Sequence, residues 1–232
     1  MKIISSISLL LLLIITTSCS TQPNAKKAYQ QAITNAALHQ LKPNPLLTIP
    51  PSKPYLTMVT WTSKSYTLGN HHLHHKIWVT AKDDLKQTCQ SFPKNRTAPF
   101  IEQLLGMPPQ SDYSNWHLTI MLVPNHQAHL KKNNHKFSPG LFRPCLSTNS
   151  IRTPTCSYQL KKGTADYNHW LLQLTLKQYR NKHGYPWTGL GYTYNWNPNT
   201  QSSIGLSEFV ITPNTPITII NSQSPAAFCY NT

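Results

Sequence analysis

Acidic side chains are nearly missing from this chain: six Asp and Glu stand against 21 Lys and Arg, a formal charge of +15 over 232 residues. The imbalance comes from the missing acids and not from a basic run, since the densest cationic pairs are only Lys131-Lys132 and Lys161-Lys162. A reaction that needs paired carboxylates would have to draw on Glu102, Asp112, Asp166 and Glu208, which lie far apart in sequence. Other signatures are missing as well. There is no GxSxG elbow, P-loop, GxGxxG or HExxH, so the common hydrolase, nucleotide and zinc-protease motifs have no support. No two cysteines have CxxC spacing, and no internal repeat is present. The longest apolar stretch, residues 3–15, is broken by Ser5, Ser6 and Ser8. At thirteen residues it falls short of the about 20 that a helix needs to cross a bilayer.

That short stretch has the layout of a secretory signal. Lys2 gives a positive start, the apolar run follows, and Thr16-Thr17-Ser18 are small residues of the kind a signal peptidase accepts. Thr16-Thr17-Ser18-Cys19 resembles the lipobox of bacterial lipoproteins, departing from it at Thr16, where that family usually has Leu. The resemblance covers the N-terminal segment alone and implies acylation of Cys19 and cleavage just before it. Without the lipid, the same residues read as an ordinary cleaved signal. Ser20 stands where lipoproteins kept in the inner membrane often carry Asp, which implies the periplasmic side of the outer membrane.

Beyond Cys19 four cysteines remain, Cys89, Cys145, Cys156 and Cys229. An even number in an exported protein reads as two disulfides with three possible pairings. We expect Cys145–Cys156, closing a short loop, and Cys89–Cys229, tying the C-terminus to the middle. Full pairing leaves no thiolate for cysteine-protease chemistry. The positive field favours anionic partners. In the envelope these are lipopolysaccharide, phospholipid headgroups and acidic faces of other envelope proteins. Nucleic acid is not expected there, and no cofactor is expected.

Three divisions follow: a signal (1–18), a tether (19–54) and a globular domain (55–232). In the tether, Ala25, Ala28, Tyr29, Ala32, Ile33, Ala36 and Ala37 recur at helical spacing over about 25–41, followed by a proline-rich linker. The helix could pack on the protein's own domain or dock to a partner. In the domain, strands are expected at 55–61, 76–80, 116–123, 191–196, 207–212 and 217–221. Helices are expected from Asp83 or Asp84 through Cys89, over 98–105 before Gly106, and from Tyr167 to about 182. The last should turn Trp170, Leu171, Leu174 and Tyr179 inward. This is an α+β domain with a mostly antiparallel sheet.

Three constellations could carry chemistry. His71-His72-Leu73-His74-His75 would set His72 and His74 on one face of a strand, a possible metal pair; the preceding Gly69-Asn70 also suits a solvated hairpin tip. A looser group, His126, His129 and His135, follows later. The segment 185–196 holds Tyr185, Trp187, Tyr192, Tyr194 and Trp196, which could form a flat stacking platform for sugar or peptide, or alternate into the core. Glu208, in LSEFVI, precedes Thr212-Pro213-Asn214-Thr215-Pro216 and an apolar strand. This run is similar to the end of the ADP-ribosyltransferase fold, where such a Glu contacts the nicotinamide ribose; a charge-paired structural Glu is the plainer reading. The functional expectation is a lipid-anchored, periplasm-facing binding or structural lipoprotein, an accessory subunit of a secretion or transport assembly. The alternative is an envelope enzyme acting on glycan or an acidic substrate through Glu208 and the 185–196 aromatics.

Overall fold

The computed structural model describes residues 22–38, 52–127, 138–144, 165–180 and 184–231. Its centre is one eight-stranded sheet built from β1 (Tyr55–Thr62), β2 (Gly69–His72), β3 (Ile77–Ala81), β4 (His117–Pro124), β5 (Leu141–Phe142), β6 (Tyr192–Tyr194), β7 (Ile204–Ile211) and β8 (Pro216–Gln223). The order is β2-β8-β4-β1-β3-β7-β5, with β6 paired to β7, and every pair of named strands is antiparallel. Among the described residues five α-helices accompany it: α1 (Gln22–Ala37), α2 (Lys82–Cys89), α3 (Thr97–Leu104), α4 (Ala165–Gln178) and α5 (Pro225–Tyr230). The expected mixture of helix and antiparallel sheet is therefore the observed one.

The last two long strands show how the sheet is shaped. β7 and β8 are joined by residues 212–215, where Thr215 N–H donates to the Thr212 carbonyl at 3.3 Å and Asn214 takes a left-handed φ of 63°. They are nevertheless not a hairpin, because β4, β1 and β3 stand between them. In a flat sheet that separation is at least roughly 19 Å across the strands, and more along them because four antiparallel steps leave β7 and β8 parallel, whereas a tight turn with one residue on either side reaches about 15 Å. The sheet must curl to bring the two strand ends together. Buried hydroxyls fasten the join: Thr212 Oγ1 donates to the Ser138 carbonyl at 2.7 Å, and Thr215 Oγ1 accepts from Gly140 N–H at 2.7 Å.

The period-two alternation of the strands fills both faces of this curled sheet. Leu56, Met58, Ile77, Val79, Met121, Val123, Phe209, Ile211, Ile217 and Ile219 form one cluster drawn from strands, joined by Leu141 and by Leu73 from the β2–β3 connection. The opposite parity, Val59, Trp61, Leu118 and Ile120, carries the helices: Leu85 and Cys89 of α2, Ile101 and Leu104 of α3, and Phe228 and Cys229 of α5 pack there. α5 starts on a capping Ser224, whose Oγ accepts from Ala227 N–H at 3.3 Å, with Pro225 in the first turn. A disulfide joins Cys89 to Cys229 across 140 residues, fixing α2 to α5. It is the one disulfide among the described residues; Cys145 and Cys156, for which a second was expected, lie outside them.

Two further features differ from expectation or decide between readings. Residues 69–72 are not a hairpin tip but the strand β2, paired in register with residues 216–219 of β8. Their polar side chains suit a sheet edge, and the turn comes after them. α1, within the segment expected to be a tether, packs Tyr29, Ala32, Ile33 and Ala36 against Tyr194 and Trp196. Its alanines let the backbone approach closely, and Tyr29 OH donates to the Gly184 carbonyl at 3.1 Å.

Candidate functional site

On the helix-bearing face, α2, α3 and α5 cover β1 and β4, while α4 lies toward β3 and β7. Between them is a cleft of about 870 Å³, within the range of small-molecule sites. Its floor is set by register. Val59 of β1 pairs with Thr80 of β3, and Thr80 pairs with Glu208 of β7, so three neighbouring strands present these residues in one row. Trp78 and Val210 form the next row. Trp170, Leu174 and Gln178 of α4 make one wall, and the turn after α3, Leu105-Gly106-Met107, makes another. Gly106 has φ +68°, and a Cβ there would press on the Tyr194 carbonyl at 3.1 Å, so a side chain at that wall would be strained.

Glu208 is 6% exposed and lines the floor. Its Oε1 accepts a hydrogen bond from Trp187 Nε1 at 3.1 Å. Trp187 is held in turn by Tyr179, whose hydroxyl donates to the Trp187 carbonyl at 2.7 Å. Burial lifts the Glu208 carboxyl well above the usual range, and the indole bond and the charge of Arg143 only partly oppose this. Burial, followed by the Glu208 charge, also pushes Tyr179 up to about 12. A carboxyl in this state donates a proton as readily as it accepts a hydrogen bond.

Two polar atoms on the cleft's own side chains are not satisfied. Trp61 Nε1 and Gln178 Oε1 are buried without a hydrogen-bond partner among the described residues, on side chains 5% and 7% exposed. One is a donor and the other an acceptor. Each such group costs about 1–3 kcal/mol if nothing binds it. The rim is cationic: Lys64, Lys76 and Lys177 line the cleft with His75, whereas Glu208 is its acid among the described residues. Burial, and then repulsion from Lys177, lowers the Lys76 ammonium below its ordinary range.

The other expected residues are dispersed. Trp187, Tyr192, Tyr194 and Trp196 are buried, so segment 185–196 folds into the body and is not laid out as one flat surface. Tyr194 and Trp196 meet α1, and Trp196 Nε1 donates to the Met107 carbonyl at 2.8 Å. Tyr185 and Trp187 reach the cleft, as does Tyr194. His72 and His74 are exposed, and no group of three His, Cys, Asp or Glu able to hold a metal occurs among the described residues. His126 bonds the Pro139 carbonyl at 3.1 Å, while His129 and His135 lie outside the described residues, as does Cys19. Of the other acids, Glu102 and Asp112 do not line the cleft, and the side chain of Asp166 is not among those described.

Trp61, Trp78 and Gln178 were not singled out from sequence. Trp61 and Trp78 read as ordinary strand residues, and Gln178 as a polar position near a helix end. No family model matches the chain, and neither a curated protein nor a solved structure matches it.

Proposed function

We propose that this protein is a lipid-anchored, periplasm-facing envelope lipoprotein that works by binding, with the cleft between the sheet and α4 as its ligand site. The observation that carries the reading is the pair of unsatisfied buried atoms, Trp61 Nε1 and Gln178 Oε1, on the walls of one cleft. Both atoms lie just beneath the cleft surface, so a small side-chain shift on binding would let a ligand acceptor and donor complete them. The proposed attachment is the lipid on Cys19, supported by the lipobox-like Thr16-Thr17-Ser18-Cys19; among the described residues no helix is long and apolar enough to cross a membrane. α1 begins at Gln22, three residues beyond that cysteine. A three-residue span reaches at most about 10 Å, and α1 is packed on the body, so the domain itself would sit close to the bilayer. Membership of an envelope assembly is part of the same proposal and rests on this placement together with the positive charge.

Native mass spectrometry of full-length protein, extracted gently from its own membrane, tests the reading. The expected result is an acylated chain carrying a non-peptide adduct that is lost in the Gln178→Leu variant. An unacylated chain with no adduct would overturn it. The position of Glu208 in the cleft favours a second reading, an envelope enzyme with Glu208 as proton donor. Glu208→Gln separates the two: a binding protein keeps its adduct, whereas an enzyme keeps its adduct unconverted and loses turnover.

A further inference from the structure

We infer that the ligand of this cleft is a saccharide bearing negative charge, a uronate or a sugar phosphate; the inference rests on the binding reading above. Three kinds of chemistry meet in the cleft. The first is aromatic: four of the chain's six tryptophans, Trp61, Trp78, Trp170 and Trp187, line it, with Tyr66 at its margin. Trp61 and Trp187 are buried beneath the surface, so Trp78 and Trp170, both half-buried, are the rings that can meet the C–H face of a sugar. The second is neutral and polar. The exposed Gln173 amide and the Glu208 carboxyl offer donors and acceptors to an array of hydroxyls, while the Thr80 and Thr193 hydroxyls already donate to the Ser207 and Leu104 carbonyls.

The third is charge. Lys64, Lys76 and Lys177 stand on the rim against a single described acid on the floor. Lys64 lies with its Nζ 5.1 Å from the Tyr66 ring centroid, so one cation is held beside an aromatic face at the cleft's margin. An uncharged glycan would leave this rim unused, and a simple inorganic anion would leave the tryptophans unused. Tyr66 also borders a second groove of about 550 Å³, whose lining includes Ser63, Ser65, Ser114, Asn115 and Ser222. This second groove is polar, and the two share Tyr66, so a ligand longer than the cleft would have it as its neighbouring surface. The geometry thus suits an end or segment of a chain of sugar units, its charged group at the lysine rim.

The test is calorimetry and tryptophan fluorescence on the full-length protein with four probes: trigalacturonate, glucose 6-phosphate, uncharged maltotriose and inorganic phosphate. The expected result is that at least one charged sugar binds, changes the fluorescence, and binds about tenfold more tightly than maltotriose at low salt, with the advantage shrinking as salt is raised. Lys64→Gln and Lys177→Gln should each weaken it by about threefold or more. Lys94→Gln should leave it unchanged, because Lys94 lies over Tyr230 and away from the cleft. Maltotriose binding as tightly as both charged sugars would overturn the charge requirement. Inorganic phosphate binding as tightly would overturn the ring requirement. If no sugar binds while the native adduct persists, the ligand class is wrong and the binding reading stands; if neither is seen, both fail.

Discussion

Two glutamates are almost closed to solvent in this protein, and they are held in different ways. Glu102 of α3 is 1% exposed and does not line the cleft. Its Oε2 accepts from Gln110 N–H at 2.7 Å and from the Tyr113 hydroxyl at 2.9 Å, tying the end of α3 to the loop that leads into β4. Glu208 is nearly as buried, yet among the described residues it accepts a single longer bond, from Trp187, and it faces the cleft beside two unsatisfied neighbours. The region under α2, α3 and α5 is tied by packing, hydrogen bonds and a disulfide, although Gln103 Oε1 of α3 is also buried without a partner among the described residues. The region under α4 is left open with its polar groups incomplete. The cross-links of the fold lie mainly under α2, α3 and α5, and the open cleft lies toward α4.

The largest effect should come from the cross-linked half. Replacing Cys89 and Cys229 together by Ala should lower unfolding free energy by on the order of 4 kcal/mol, since the bond closes a 140-residue separation. Denaturant unfolding reads this, and ligand retention by whatever remains folded should be unchanged. Glu102 gives the next effect, as a pH dependence. Burial, opposed by its two hydrogen bonds, pushes it up to about 7 from an ordinary 4.5. The folded state therefore keeps this proton after the unfolded chain has lost it, and stability falls as pH rises from 4.5 through 7. The Glu102 share of that fall is roughly 3 kcal/mol. Urea unfolding at pH 4.5 and pH 8 should show a smaller fall in Glu102→Gln; an identical fall would remove Glu102 from the account.

Smaller still, Tyr113→Phe should cost about 1.5 kcal/mol by removing one bond to a buried carboxyl. On the open half, Glu208→Gln should have the opposite sign at pH 8. The amide keeps an acceptor for Trp187 and spares the fold from holding a proton that the unfolded chain releases, so the variant should melt higher at pH 8 and unchanged at pH 4. A loss of stability at both pH values would make Glu208 a structural tie like Glu102.

Much of the fold was legible because its long strands carry their own signal. The alternation in 55–62 and 117–124 and the Gly106 stop after α3 are local features. β2 was not legible: Gly69-Asn70-His71-His72 has no strand composition and is fixed by pairing with β8. α5 was missed although Ser224-Pro225 is a cap followed by an N-terminal proline, because six residues leave no periodicity to detect. The residues between β7 and β8 are those of a tight turn, and nothing local announces that β4, β1 and β3 stand between the two strands. At the site, Glu208 stood out because acids are scarce. Trp61 and Gln178 did not, since an unsatisfied atom is a property of the surroundings and not of the residue.

The claim that the cleft is built for a ligand is tested most directly by the stability of Gln178→Leu, which keeps the side chain's size and removes the buried unsatisfied acceptor. In urea unfolding of ligand-free protein, the account predicts a gain of about 1 kcal/mol together with loss of the bound adduct. A variant that is less stable and still carries the adduct would contradict it, and would show that Gln178 is satisfied by the protein itself.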